Sequence, residues 1–118
     1  IISGIGALTV LSGFTISFFA NKEIGENWSA SIEKERSQKL ITSGIYSYVR
    51  HPLYFSGIII FIGTIMYFQS WWSIAVLFPC FLIINWRLKY EEEYLILLFG
   101  NEYREYIRKT KKIVPFLY

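Results

Sequence analysis

Cysteine and histidine are almost missing from this chain of 118 residues, with one of each. A lone cysteine, Cys80, cannot close an intrachain disulfide, and its place inside an apolar run gives no sign of redox chemistry. A lone histidine, His51, cannot build a Cys/His zinc site, so no metal is expected. There is no glycine-rich phosphate loop, no internal repeat and no low-complexity tract. Charge is missing over two long stretches, Ile1 to Ala20 and Leu53 to Trp86. A helix on the surface of a soluble domain needs a polar face, and these stretches offer none over several turns. The first also lacks the basic start and small-residue cleavage site of a secretory signal.

What is present is apolar and aromatic. Hydrophobic residues make up 53% of the chain, and its mean hydropathy is +0.36. A soluble domain this small has too little interior to hide so much apolar surface. The expected fold is all-α: an integral membrane helical bundle with a C-terminal helical hairpin. Residues 1–20 form the first spanning helix of a single domain, with further helices expected upstream. The second run, residues 53–86, is too long for one crossing of a hydrocarbon core about 30 Å thick. Gln69-Ser70-Trp71-Trp72 divides it. The spacing predicts a hairpin with arms from Leu53 to about Phe68 and from about Trp72 to Trp86, its tryptophans at the interface. Pro79 is expected to kink the second arm, and Gly57 to let helices pack closely.

All twelve basic residues lie either between Asn21 and Pro52 or after Trp86, and none lies at the hairpin turn. By the positive-inside rule, the connector 21–52 and the tail 87–118 both face the cytoplasm. Arg108, Lys109, Lys111 and Lys112 read as topology signals and contacts to anionic membrane lipids rather than nucleic acid. The helix is expected to continue from Arg87 to Phe99. Gly100-Asn101 can end it and let Asn101 cap a further helix. Ile113-Val114-Pro115-Phe116 is expected to be extended.

Two constellations carry the chemistry. The first runs from Ser43 to Gly57 and contains Tyr46, Tyr48, Arg50-His51-Pro52 and Tyr54. Pro52 pushes His51 out of the α region yet suits a first helical turn. His51 then sits at a helix start, which attracts anions, while the tyrosine faces can receive a cation. Residue by residue, an aromatic, basic membrane boundary explains the same pattern. The second is Arg87-Leu88-Lys89-Tyr90-Glu91-Glu92-Glu93, where Arg87 and Glu91 share a helix face. Surface pairing with snorkelling accounts for such a pair as readily as an anion clamp does.

Taken in order, these elements resemble the isoprenylcysteine carboxyl methyltransferase family of membrane enzymes. The resemblance runs from Gly25-Glu26-Asn27-Trp28-Ser29 to Pro115-Phe116. It is carried by Leu40-Ile41-Thr42-Ser43-Gly44-Ile45-Tyr46, Arg50-His51-Pro52-Leu53-Tyr54 with Gly57, the Arg87/Glu91 pair, and Phe99-Gly100-Asn101-Glu102-Tyr103. It implies a cytoplasmic cofactor pocket, S-adenosylmethionine as cofactor and methyl transfer to the C-terminal carboxylate of a prenylated cysteine. It also implies that Gln38, Lys39, Leu40, Ile41 and Tyr46 line the cofactor. His51, Pro52, Leu53 and Tyr54 would cradle it, Glu91 would contact it, and Arg87 would hold the substrate. Gln38 stands where the family often has histidine. Three other readings stay open: N-methylation of a phospholipid amine, with Glu91 as a base; a sterol-type reductase using a nicotinamide cofactor; and a noncatalytic membrane subunit.

Overall fold

The computed structural model describes residues 1–25 and 40–118. Among the described residues four helices follow one another: α1 (Ile2–Ile24), α2 (Pro52–Phe68), α3 (Ile74–Phe99) and α4 (Asn101–Lys109). Short 3₁₀ turns at Gly44–Ser47 and Trp71–Ser73 precede α2 and α3. Among the described residues there is no strand, only one isolated parallel bridge between Val49 and Lys111. The expected all-α membrane architecture is what the chain adopts. Helix α1 and the stretch Trp71–Phe99 are long and apolar enough to cross a membrane. At 1.5 Å per residue α1 is about 35 Å long, enough for the hydrocarbon core. Leu8, Leu11, Phe14 and Phe18 on α1, and Phe78, Ile83 and Trp86 on α3, stand exposed, as lipid-facing side chains would.

The α1–α2 contact is built on small residues. Gly6, Gly13 and Ala20 recur every seven residues along α1 and are all buried, as is Gly63 on α2. A Cβ on Gly6 would overlap the Tyr67 nitrogen and lie 2.7 Å from the Gly63 oxygen. Backbones this close exchange dispersion contacts that larger side chains would block. Gly57, expected to serve this purpose, is instead exposed with nothing within 4 Å of a Cβ built on it. It lies on the other face of α2, off the seam that Ser56 and Gly63 mark seven residues apart.

The hairpin turn falls where the polar break predicts it. Gln69 ends α2 in the left-handed region (φ 54°), and its amide bonds to the Ile65 carbonyl. The two arms are joined but do not pack as a pair, because α2 spends its small-residue face on α1. Helix α3 runs through Pro79 without ending and continues past Trp86 to Phe99. Gly100 (φ 63°) then turns the chain directly into α4. Asn101 is the first residue of α4 rather than its cap, and its Oδ1 accepts from Arg104 Nη1 at 3.1 Å.

The tail departs from the extended form expected of it. Lys111 and Lys112 do run beside residues 48–51, accepting from the Arg50 amide at 2.8 Å and the His51 amide at 3.0 Å. From Ile113 onward the chain folds on itself, with the Val114 carbonyl accepting from the Leu117 and Tyr118 amides. The Tyr118 hydroxyl donates to Asn85 Oδ1 at 2.7 Å, which ties the tail to α3. A buried cluster of Ala20, Tyr46, Tyr103 and Tyr106 joins α1, the connector and α4 at one end of the helices.

Candidate active site

Pro52 fixes the local geometry as its chemistry requires. His51 lies outside the helical region (φ −126°, ψ 62°), and Pro52 occupies the first turn of α2. Both residues are buried. The His51 carbonyl accepts the first helical bond, from Phe55. The imidazole does not stand free for an anion: His51 Nε2 lies 3.0 Å from Glu92 Oε1. The same oxygen accepts from Arg50 Nε at 2.7 Å. Arg50 is satisfied on its other side as well, with Nη1 donating to the Thr110 carbonyl at 2.8 Å and the Ile107 carbonyl at 3.2 Å. One guanidinium thus ties the His51 segment to α3 and to the last carbonyls of α4, the end of a helix dipole where a cation is favoured.

Beside this buried cluster lies a more open one. The Tyr54 phenol interacts with both Arg87 and Glu91. Its ring also meets the His51 ring edge-on, centroids 6.2 Å apart. Arg87 and Glu91 therefore share a face, as their spacing predicts, and both act on Tyr54, but they form no ion pair with each other within 4.0 Å. Both are exposed, so neither is consumed by the fold.

The apolar wall of the site comes from Leu40, Ile41 and Leu53, all packed against the cluster that contains Tyr46 and Tyr103. Tyr46 is pushed up to about 12, first by burial and then by the negative charge of Glu91. Tyr106 is raised by burial and by its neighbour Tyr46, and its hydroxyl donates to the Tyr46 carbonyl at 2.6 Å. Tyr103 is raised by burial and by the charge of Glu92. All three hydroxyls stay protonated at neutral pH and can donate hydrogen bonds.

The fold thus gathers Leu40, Ile41, Tyr46, His51, Pro52, Leu53, Tyr54, Arg87 and Glu91 at one end of the helices. Gln38 and Lys39 lie outside the described residues. Sequence spacing did not single out Glu92, the carboxylate that His51 and Arg50 both address, because its partners are 41 and 42 residues away. The tyrosines of α4 read as packing; the spacing of Tyr103 and Tyr106 on one face was the available signal.

Comparison with known proteins finds similarity to methyltransferases. The family model described as phospholipid methyltransferase matches residues 2–102. Protein-S-isoprenylcysteine O-methyltransferase B of Arabidopsis thaliana is 32% identical over 124 residues, covering 98% of this chain and 60% of that one. The protein-S-isoprenylcysteine O-methyltransferase of Dictyostelium discoideum is 28% identical over 114 residues, covering 94% and 48%. Among solved structures, the eukaryotic intramembrane Ras methyltransferase, isoprenylcysteine carboxyl methyltransferase, superposes with a TM-score of 0.78 at 25% identity, over 98% of this chain and 43% of that one. The chain spans about half the length of the relatives it matches. On the match across residues 2–102, which carries the whole site from His51 to Glu92, the chain belongs to the phospholipid methyltransferase family.

Proposed function

We propose that the chain transfers a methyl group from S-adenosylmethionine to the C-terminal carboxylate of a prenylated cysteine, at a site on the cytoplasmic side of the membrane. The observation that carries this reading is that Tyr54, edge-on to the ring of buried His51, stands in the combined field of Arg87 and Glu91 on one face of α3. The donor set fits an amphoteric cofactor with a carboxylate, an ammonium, a sulfonium and an adenine. Glu91 is an exposed carboxylate for the ammonium or a ribose hydroxyl. Tyr46 and Tyr54 present aromatic faces to a cation. Leu40, Ile41 and Leu53 supply an apolar wall for the adenine.

When bound, the cofactor supplies an electrophilic methyl group on sulfur. The acceptor carboxylate is already ionised near neutral pH and needs no strong base. The residues of this chain then have to align the two reactants and exclude water. Arg87 holds the acceptor carboxylate by charge-assisted hydrogen bonds. Tyr54, within electrostatic reach of both Arg87 and Glu91, links the acceptor arm to the cofactor arm. Glu92 holds His51 through Nε2 and keeps the cradle in register with α3.

The name of the matching family supports a second acceptor, a phospholipid amine. An amine must lose a proton, which would make Glu91 a base and leave Arg87 beside a cationic acceptor. Arg87 therefore favours the carboxylate. The test supplies detergent-solubilised protein with S-adenosylmethionine carrying a labelled methyl group, and with either an N-acyl-S-prenylcysteine or phosphatidylethanolamine. Label on the cysteine that mild alkali releases as methanol is the expected methyl ester. Alkali-stable label on the phospholipid, with none on the cysteine, overturns the reading in favour of the amine.

A further inference from the structure

Tyr103 holds the only buried side-chain nitrogen or oxygen without a hydrogen-bond partner among the described residues. The residue is 1% exposed. Its neighbour Tyr106 shows how this fold satisfies a buried phenol, by donating to the Tyr46 carbonyl. A phenylalanine at position 103 would fill the same space without stranding a hydroxyl, and an unmet buried hydroxyl is costly.

The position of the phenol points to a ligand. Its ring packs in the cluster that contains Tyr46 and against which Leu40, Ile41 and Leu53 lie. Glu92, Arg50 and Glu91 are the charged groups that act on it. Nearby basic donors are already engaged, since Arg50 serves Glu92 and two carbonyls, and His51 Nε2 serves Glu92. Among the described residues, the Tyr103 hydroxyl is the one buried side-chain donor left without a partner for a carboxylate entering here. Resting on the methyltransferase reading above, we infer that Tyr103 donates a hydrogen bond to the aminoacyl carboxylate of the bound cofactor, while Glu91 takes its ammonium.

The test is calorimetric titration of the detergent-solubilised wild type and Tyr103→Phe with two ligands. S-adenosylhomocysteine carries the aminoacyl end, and 5′-methylthioadenosine lacks it. Tyr103→Phe is expected to weaken S-adenosylhomocysteine by about tenfold or more, the weight of a hydrogen bond to a charged group. Its affinity for 5′-methylthioadenosine and its melting temperature stay at or above wild type. Unchanged affinity for S-adenosylhomocysteine in a folded variant overturns the inference while leaving the methyltransferase reading intact. Equal loss for both ligands moves the hydroxyl to the nucleoside end and overturns it too. A folded wild type that binds neither ligand overturns the methyltransferase reading itself, and this assignment with it.

Discussion

Arg50 and Glu92 lie 42 residues apart in the chain and meet through a 2.7 Å bond between Nε and Oε1, with both side chains largely removed from solvent. The same carboxylate oxygen faces His51 Nε2, so one acidic group on α3 fixes two adjacent residues at the entry to α2. Removing it leaves a guanidinium whose side chain is only 8% exposed without its counter-charge. Glu92→Ala is therefore expected to destabilise the fold by about 3 kcal/mol, the usual cost of breaking a buried pair on one side. Glu92→Gln, which keeps an acceptor, costs less. Thermal unfolding in detergent ranks the two, and equal melting temperatures for Glu92→Ala and wild type would remove Glu92 from its structural role.

The glycines of the α1–α2 seam make a second, sharper contrast. A Cβ on Gly63 would sit 2.7 Å from the Val10 nitrogen and 2.8 Å from the Gly6 oxygen, both backbone atoms that cannot step aside alone. Gly63→Ala is expected to lower both the melting temperature and the yield of folded protein. Gly57→Ala meets nothing and is expected to be neutral or to stabilise α2 by up to about 1 kcal/mol through helix propensity. Comparison of the two melts decides whether α1 and α2 pack by direct backbone approach.

These elements also show how far the sequence could be read. Charge-free runs revealed the spanning helices, because lipid imposes that composition directly. Gln69 and Gly100, both at positive φ, end α2 and α3 where the polar and glycine signals placed the breaks. His51-Pro52 revealed its own backbone geometry, since proline restricts the residue before it. Pairing across 41 or 42 residues left no local pattern, so Glu92 stayed hidden behind Glu91, whose four-residue spacing from Arg87 was visible. The seam glycines were legible in principle: Gly6, Gly13 and Ala20 fall at a constant interval of seven, whereas Gly57 drew notice only through its place in a motif. The turn in the tail depends on docking to Asn85 and to residues 48–51, contacts that no short window contains.

Alkaline pH should expose the buried tyrosines. Tyr46 has its folded value raised from 10.0 to about 12, so the fold prefers its neutral form. The stability tied to that preference is complete below pH 10.0 and is lost as pH climbs toward about 12. Melting temperature is expected to hold near neutral pH and to fall above about pH 10, with Tyr46→Phe falling less steeply. Parallel melting curves for the two proteins through that window would contradict the assignment.

The paired tail is expected to matter for the site as well as the fold. Residues 111 and 112 accept from the Arg50 and His51 amides, and the Lys111 amide donates to the Tyr48 carbonyl. Truncation after Thr110 strips the cradle of these bonds, each worth about 1 kcal/mol. The truncated protein is expected to bind S-adenosylhomocysteine at least about tenfold more weakly than the full chain, given that magnitude. Full affinity after truncation would mean that α2 and Glu92 hold His51 without help.

The division of labour across Tyr54 is tested most directly by titrating wild type, Glu91→Ala and Arg87→Ala with S-adenosylhomocysteine in one detergent. Wild type is expected to show saturable binding, Glu91→Ala to lose it, and Arg87→Ala to retain it while failing to turn over a prenylcysteine acceptor. Loss of binding in both variants, or its retention in Glu91→Ala, would contradict the assignment of Glu91 to the cofactor and Arg87 to the acceptor.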